Sequence, residues 1–549
     1  MAKKTYWYQN FSGGMDQSTD SALVANNESP LLQNCSLDQT GNWVSRTGTS
    51  RADTGTPTTG QIWGLGAHNL SDGTHTFFRV VARDLEKFDG TDTWAVTDAN
   101  EWPASKRVNM INYLDRLYLG SEDGGTALAW CVTAGVITDV VPEIGGHILA
   151  VNKSILAVGG NDMKPNVIFY TDAYTDNLFS ATGTCAANAD VAGANTVTAT
   201  TSIFEADMTG AMLYNTTLDE VNVITDWTSA TVVTTSAATA TWNDDTIYIL
   251  QNNFTLDGAC TGMIGFQENF VSFDEESMYM WDPTSQWSQK VPGFGCVNDR
   301  TVQIVDGNLM WVDREAVYFW DGQGRPIDIT GKIRDKVDGY GIFDLIDDDN
   351  WGSLCAGSHE GKHYLSLGDL STLADAPASA MANAEMVFDV KRGAWTVNSR
   401  DDTPMCYATY INTDGSKDLY YGEKTNVCVY KMLTGTTDAM SMGSTVEIDV
   451  DIRTPHFTFD DPTVKWRVSA FYVKYKSGGQ VTTTYSKDRG GYDYLTILAA
   501  ASTVTTEEIR PPTDTEAYTH SLQFVTTGTF TLEAVGFKAE PISFGAIST

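Results

Sequence analysis

The sequence predicts an all-β chain: a β-propeller of about six to eight blades, with a small inserted β-domain and a C-terminal β-sandwich. Three observations predict it. A phrase of short apolar strand, tight acidic turn and aromatic residue recurs at 85–94 (LEKFDGTDTW), 278–287 (MYMWDPTSQW), 317–326 (VYFWDGQGRP) and 386–395 (MVFDVKRGAW), with a worn copy at 427–432. Upstream of most copies stands an apolar run, a short polar turn and a second apolar run, at 111–120, 149–160, 265–275, 302–313 and 358–368. Each of these reads as an antiparallel hairpin. Hairpin and phrase together make four-stranded units spaced by about 40 to 50 residues, the period of propeller blades. A pair of irregular sandwiches is the competing reading of the same strands.

Composition narrows the class of function. The 549 residues exceed one ordinary core and allow two to four domains. With 42% hydrophobic residues and 48 Gly against 15 Pro, the chain is globular and rich in turns. The 35 Lys and Arg against 70 Asp and Glu leave a formal charge of −35. Affinity for nucleic acid comes largely from cations that displace condensed counterions, so sequence-specific DNA binding is not expected. Such a charge either keeps a large protein soluble or lets a surface face DNA without adhering to it. The eight cysteines contain no C-x-x-C pair, which fits small core hydrophobes in a reduced compartment better than zinc or a disulfide scaffold. No apolar segment follows Lys3 and Lys4, and no apolar stretch approaches the ~18 residues of a membrane span. Synthesis in a cytoplasm, without membrane insertion, is the expectation.

In chain order, residues 1–60 form an arm and propeller entry, with a Gly13-Gly14 bend, a turn at Asn34 and a hairpin over Asp38 to Gly41 presenting Trp43 and Val44. Residues 61–180 hold three blades. In 181–254 Thr, Ala and Val replace Gly and Trp, as expected of a small β-domain inserted between blades. Between Pro165 and Gln289 there are 16 Asp and Glu and no Lys or Arg. Residues 255–435 resume the propeller apart from a helical interlude, where Ile333, Val337, Ile342 and Leu345 fall near helical spacing and Thr330 is a candidate N-cap. Residues 436–549 form the sandwich, opening with the alternating Val446, Ile448, Val450 and Ile452.

The order Gly13-Gly14, Glu28, Asn34, Asp38, Gly41, Arg46 and Gly48 resembles the opening of the β-propeller proteins of bacteriophage tails and necks, the tail nozzle and DNA-stabilisation proteins of short-tailed phages. The likeness returns at Pro165, Asn166, Tyr170, Asp172 and Phe179, and again at Phe459, Asp461, Pro462, Lys465 and Arg467. What it implies is a structural virion protein located in the tail and assembled in the host cytoplasm. Copies would close a homo-oligomeric ring, sixfold by the resemblance, between portal-bound tail adaptor proteins and tail fibres. The genome would pass through without sequence-specific binding.

No motif of catalysis is assembled in the sequence. H-E-x-x-H, G-x-S-x-G, a P-loop and G-x-G-x-x-G are all missing, and the seven His are mostly isolated. His359 and His363 are four apart, but in a hairpin, which does not set them on one helical face. Asp274, Glu275 and Glu276 cluster at a strand end and are the carboxylates a propeller glycosidase would need. SLDQTGNW (36–43) resembles the sialidase Asp-box with one residue too many. Asp347, Asp348 and Asp349 lack the spacing of a calcium loop. No catalytic, cofactor-binding or metal residue is assigned, and no enzyme activity or cofactor is expected. A glycan-binding tail protein using exposed Trp and Tyr, and a glycan hydrolase, are the alternatives.

Overall fold

The computed structural model describes residues 3–19, 23–55, 58–90, 93–123, 126–132, 134–140, 144–186, 195–218, 220–236, 242–334, 341–346, 348–368, 370, 383–412, 414–441, 443–460, 463–488, 492–511 and 515–542. Seven four-stranded antiparallel blades form a ring: residues 62–98, 108–139, 148–170 with 253–255, 262–292, 303–328, 355–399, and 404–432 with Thr49–Arg51. The upstream hairpins are the first and second strands of their blades. The recurring phrase is the third strand and its turn into the fourth. Its Asp has one task in each copy, accepting a hydrogen bond from a main-chain N–H further round the turn: Thr93 to Asp89 at 3.1 Å, Thr284 to Asp282 at 3.0 Å, Gln323 to Asp321 at 2.8 Å and Arg392 to Asp389 at 3.1 Å. These side chains close the turns that the strands alone would leave open.

The worn copy at 427–432 is incomplete for a topological reason. Its third strand, Val429–Met432, pairs with Thr49–Arg51, so the N-terminal region supplies the outermost strand of blade 7. The ring closes where the inner strand of blade 7, Pro404–Ile411, packs beside that of blade 1, Ile62–Asn69.

The inserted segment lies within blade 3, not between blades. It leaves after the third strand, Val167–Tyr170, makes a six-stranded sheet over residues 181–250, and returns as the fourth strand, Asn253–Thr255. A hairpin loop can be lengthened this way because neither flanking strand has to move. Asn166 and Asp172 hold the stem: Asn166 Nδ2 donates to the Leu256 carbonyl at 3.2 Å, and Asp172 accepts from Asn252 Nδ2 at 2.9 Å. The insert has its own core around Phe204, Leu213, Trp242 and Ile249, while Met212 and Tyr214 pack against blades 2 and 3.

The C-terminal sandwich is built around the arm. One sheet holds Trp466–Ser477, Ala501–Ile509 and Phe530–Pro541, and the arm strands Lys4–Tyr8, Cys35–Leu37 and Trp43–Ser45 join it. The other prolongs blade 6: Ala394–Ser399 meets Leu31–Gln33, followed by Asp449–Arg453, His520–Thr527, Val481–Lys487 and Tyr492–Leu498. One core runs from Met310 and Leu365 of the propeller through Trp43 and Trp395 to Phe471 and Phe537.

Three local expectations are corrected. Trp43 is not presented; it is buried, stacks on Phe11 at 4.3 Å and donates its indole N–H to the Phe11 carbonyl. The alternating run from Val446 breaks at Ile448 into two strands, Thr445–Glu447 and Asp449–Arg453, and Val446 is exposed. The described parts of the helical interlude are 3-10 turns, Thr330–Lys332 and Ile342–Leu345, with Ile333, Ile342 and Phe343 drawn into the shared core, and residues 335–340 lie outside the described residues. Asp328, not Thr330, is the capping side chain there, accepting from the Thr330 N–H at 2.8 Å. Val337 and Asp347 lie outside the described residues, as do Asp461 and Pro462.

Candidate functional site

The starts of the inner strands meet at one end of the central channel, a cavity of about 300 Å3 lined by strands of the ring. Asn109 of blade 2 donates to Asp299, ahead of blade 5, and to the His147 carbonyl, ahead of blade 3, at 2.8 Å. Arg300 donates to the Gly352 carbonyl at 2.7 Å and to the Met405 carbonyl of blade 7 at 3.4 Å; Arg107 reaches the same Gly352 carbonyl. Asn298 donates to the Trp351 carbonyl at 2.8 Å. Two guanidinium groups and an amide therefore hold the 3-10 segment Asp348–Ser353 through its Trp351 and Gly352 carbonyls. Burial pushes the Asp299 carboxyl above the usual carboxylate range, against the opposing influence of His147, Asn109 and Arg107. This end can hold water or a small polar molecule. A volume of about 300 Å3 is that of a small-molecule pocket, far below what a turn of DNA duplex occupies.

The other candidates are dispersed. Asp274 is buried in the turn before the third strand of blade 4 and accepts from Glu276 N, Ser277 N, Gly258 N and Tyr279 OH at 2.9, 2.6, 3.2 and 2.8 Å. Its lone pairs are committed to that turn, and Glu275 and Glu276 point to solvent. Asp38 does the same work in the Asp-box look-alike, accepting from Thr40 and Asn42 main-chain N–H groups at 2.8 and 2.9 Å. Burial raises its carboxyl, but the bonds from Asn42 and Thr40 outweigh this and hold it below the usual range. His359 and His363 lie on the paired strands of one hairpin, and burial pushes the His363 imidazole down to about 3, so it is neutral. No group of three His, Cys, Asp or Glu able to hold a metal ion occurs among the described residues. No described helix is long and apolar enough to cross a membrane. Seven of the eight free cysteines are buried; burial raises the thiols of Cys131, Cys296 and Cys355 to about 12.

Five residues of the first resemblance, Gly14, Glu28, Asn34, Arg46 and Gly48, join the arm to the rest of the molecule, while Asp38 and Gly41 close their own hairpin; single-strand patterning gave no hint of the junction. Gly14, at φ 75°, passes so close to blade 6 that a Cβ would stand 2.8 Å from Ala394 Cβ. Glu28 pairs with Lys332 at 2.7 Å. Asn34, at φ 56°, donates to the Asp449 carbonyl at 2.6 Å and accepts from Arg46 Nε and the Ser399 N–H, both at 2.9 Å. Arg46 forms a forked pair with Asp438, both nearly buried. At Gly48 a Cβ would stand 1.9 Å from the Thr437 carbonyl oxygen.

The carboxylates of the insert are arranged differently. Glu205, Asp207, Asp226 and Asp244 are exposed, and no cation pairs with them among the described residues. Elsewhere in the acidic block, Asp176 pairs with Arg116, Asp257 with Lys290 and Asp282 with Lys153.

These features define a seven-bladed β-propeller closed by its own N-terminal region, with an acidic insert in blade 3 and a sandwich fused to blade 6. The chain matches no family model and no curated protein. Solved structures similar to it include streptogramin B lyase, at 8% identity and TM-score 0.39 over 70% of this chain and 97% of that one. The Pan2 WD40 domain of Neurospora crassa is similar at 6% identity and TM-score 0.33, covering 72% and 97%. The mitotic checkpoint complex is similar at 10% identity and TM-score 0.36, covering 70% and 93%.

Proposed function

We propose that this protein is a structural component of a short phage tail, a nozzle ring whose acidic lumen retains the genome and then lets it pass. The observation that carries the reading is the junction just described. Gly14, Asn34, Arg46 and Gly48, all within the first resemblance, bind arm, sandwich and blades 6 and 7 into one body, which is what a ring subunit under load from packaged DNA requires. The channel within one propeller is too small for a duplex, so the path lies between copies arranged head to tail around a closed ring, sixfold by the resemblance. Unneutralised carboxylates of the insert would keep phosphates from adhering, because binding needs cations that this surface lacks. Portal-bound tail adaptor proteins and tail fibres are the expected neighbours. The test is to label source phage particles with gold-conjugated antibody against the chain. Label at the tail or neck is expected; absence of label from particles overturns the reading.

A further inference from the structure

The repeat puts an aromatic residue at or near the start of a blade's fourth strand. In blade 1 this is Trp94, packed on Phe88 at 5.0 Å and lying beneath the Arg79 guanidinium at 4.4 Å. In blade 6 it is Trp395, buried, with its indole N–H donated to the Ile329 carbonyl at 2.8 Å. In blade 4 it is Trp287, and that ring is left 44% exposed. The whole fourth strand, Trp287–Pro292, is almost wholly exposed, so this ring is not held in the core as Trp395 is.

Trp287 instead borders a cavity of about 400 Å3 between blades 4 and 5, within the ~300–1,000 Å3 usual for small-molecule sites. Phe266 and Trp320, with ring centroids 5.5 Å apart, and Met280 give it an apolar floor. Gln267, Asn269 and Gln289 bring three carboxamides to its lining. The Gln267 amide is held by donation to the Asp321 carbonyl at 3.1 Å, and it fits only because Gly322 has no side chain: a Cβ there would stand 2.3 Å from Gln267 Nε2. Among the described residues, no Asp, Glu, Lys or Arg lines the cavity. Of the charges beside it, Lys153 pairs with Asp282 at 3.2 Å and Glu268 at 3.4 Å, while Asp321 and Arg325, next in sequence to lining residues, are exposed.

We propose that this cavity binds a neutral pyranose sugar, its apolar face on Trp287 and its hydroxyls on the three carboxamides. An exposed indole offers a flat, polarisable surface to C–H groups, and carboxamides both donate to and accept from hydroxyls. A lining without charge, on a chain of −35, selects against anionic sugars. The site is independent of ring assembly, so its failure leaves the nozzle reading where it stood.

The test uses the purified full chain, titrated with methyl β-glucoside, methyl β-galactoside and N-acetylglucosamine trimer by saturation-transfer NMR and indole emission, with N-acetylneuraminic acid as the anionic comparator. Saturable binding of at least one neutral probe is expected. Trp287→Ala should raise Kd by about thirtyfold or more, the loss typical of a hot-spot tryptophan. Gln289→Ala, a change on the exposed strand, should weaken binding with an unchanged melting curve, and Trp7→Phe, at an exposed ring elsewhere, should leave Kd as it was. Lack of saturable binding by every neutral probe, an unchanged Kd in Trp287→Ala, or equal affinity for the anionic sugar each overturns the proposal.

Discussion

Arg46 and Asp438 are 392 positions apart and form one buried forked pair, so a single guanidinium ties the entry of the chain to the end of its propeller. Burial acts to raise the Asp438 carboxyl, but the hydrogen bonds and charge of Arg46 dominate and lower it. Removing one member of such a pair leaves an uncompensated charge in a dry site, at a cost of about 3–5 kcal/mol. Arg46→Met should therefore lower the urea midpoint followed by tryptophan emission, and pairing it with Asp438→Leu should recover most of the loss. A double variant no better than Arg46→Met would show that Asn34, which also accepts from Arg46, is the costlier orphan. Arg46 was legible in the sequence only as part of a resemblance. Its partner was not legible at all, because Asp438 is a lone acid in a Thr-, Gly- and Met-rich stretch and nothing local distinguishes it from surface Asp.

Among the elements, blade 7 is the one assembled from both ends of the chain, and two carboxyl groups meet beside it. Asp402, on the connection from blade 6, lies within hydrogen-bonding reach of Glu423, at the end of the blade's second strand. Glu423 is wholly buried and also accepts from Tyr430 OH at 3.1 Å and from Thr425 and Asn426 at 2.5 Å. Burial, and then repulsion from Glu423, push the Asp402 carboxyl up to about 7. The folded state thus holds a proton that the unfolded state releases near pH 4, so stability falls as pH rises from about 4 to 7. Asp402→Asn, which cannot ionise, should flatten that slope and raise the melting temperature at pH 8. A variant with the wild-type pH slope would place the titration elsewhere. Blade strands themselves were readable, because apolar alternation and acidic turns are local signals. The missing fourth strand of blade 7 was not, since its supplier lies far upstream and only the closing of the ring brings it there.

For the whole molecule the decisive quantity is the distribution of a −35 charge. Most acids of the block between Pro165 and Gln289 that lie on blades have cation or backbone partners, whereas Glu205, Asp207, Asp226 and Asp244 on the insert are exposed and pair with no cation among the described residues, Glu205 also capping the 3-10 turn Ala206–Met208. Reversing these four to Lys should let the purified chain retard duplex DNA at low ionic strength, with the effect largely lost by about 0.15 M salt. On the nozzle reading proposed above, genome ejection from particles carrying the variant should slow in the same salt-dependent way, and unchanged ejection kinetics would count against an insert lying on the path of the DNA.

The sequence by itself determined the all-β class and the four-stranded repeat, because hairpin turns and strand alternation are written within about ten residues. Tertiary structure alone decided that there are seven blades, that the insert sits inside blade 3, that the arm is woven through the sandwich and that one core joins sandwich to propeller. Those features depend on pairings between residues hundreds of positions apart. Such pairings are selected by which free strand edge is nearest once the ring has closed, and no local pattern records that choice.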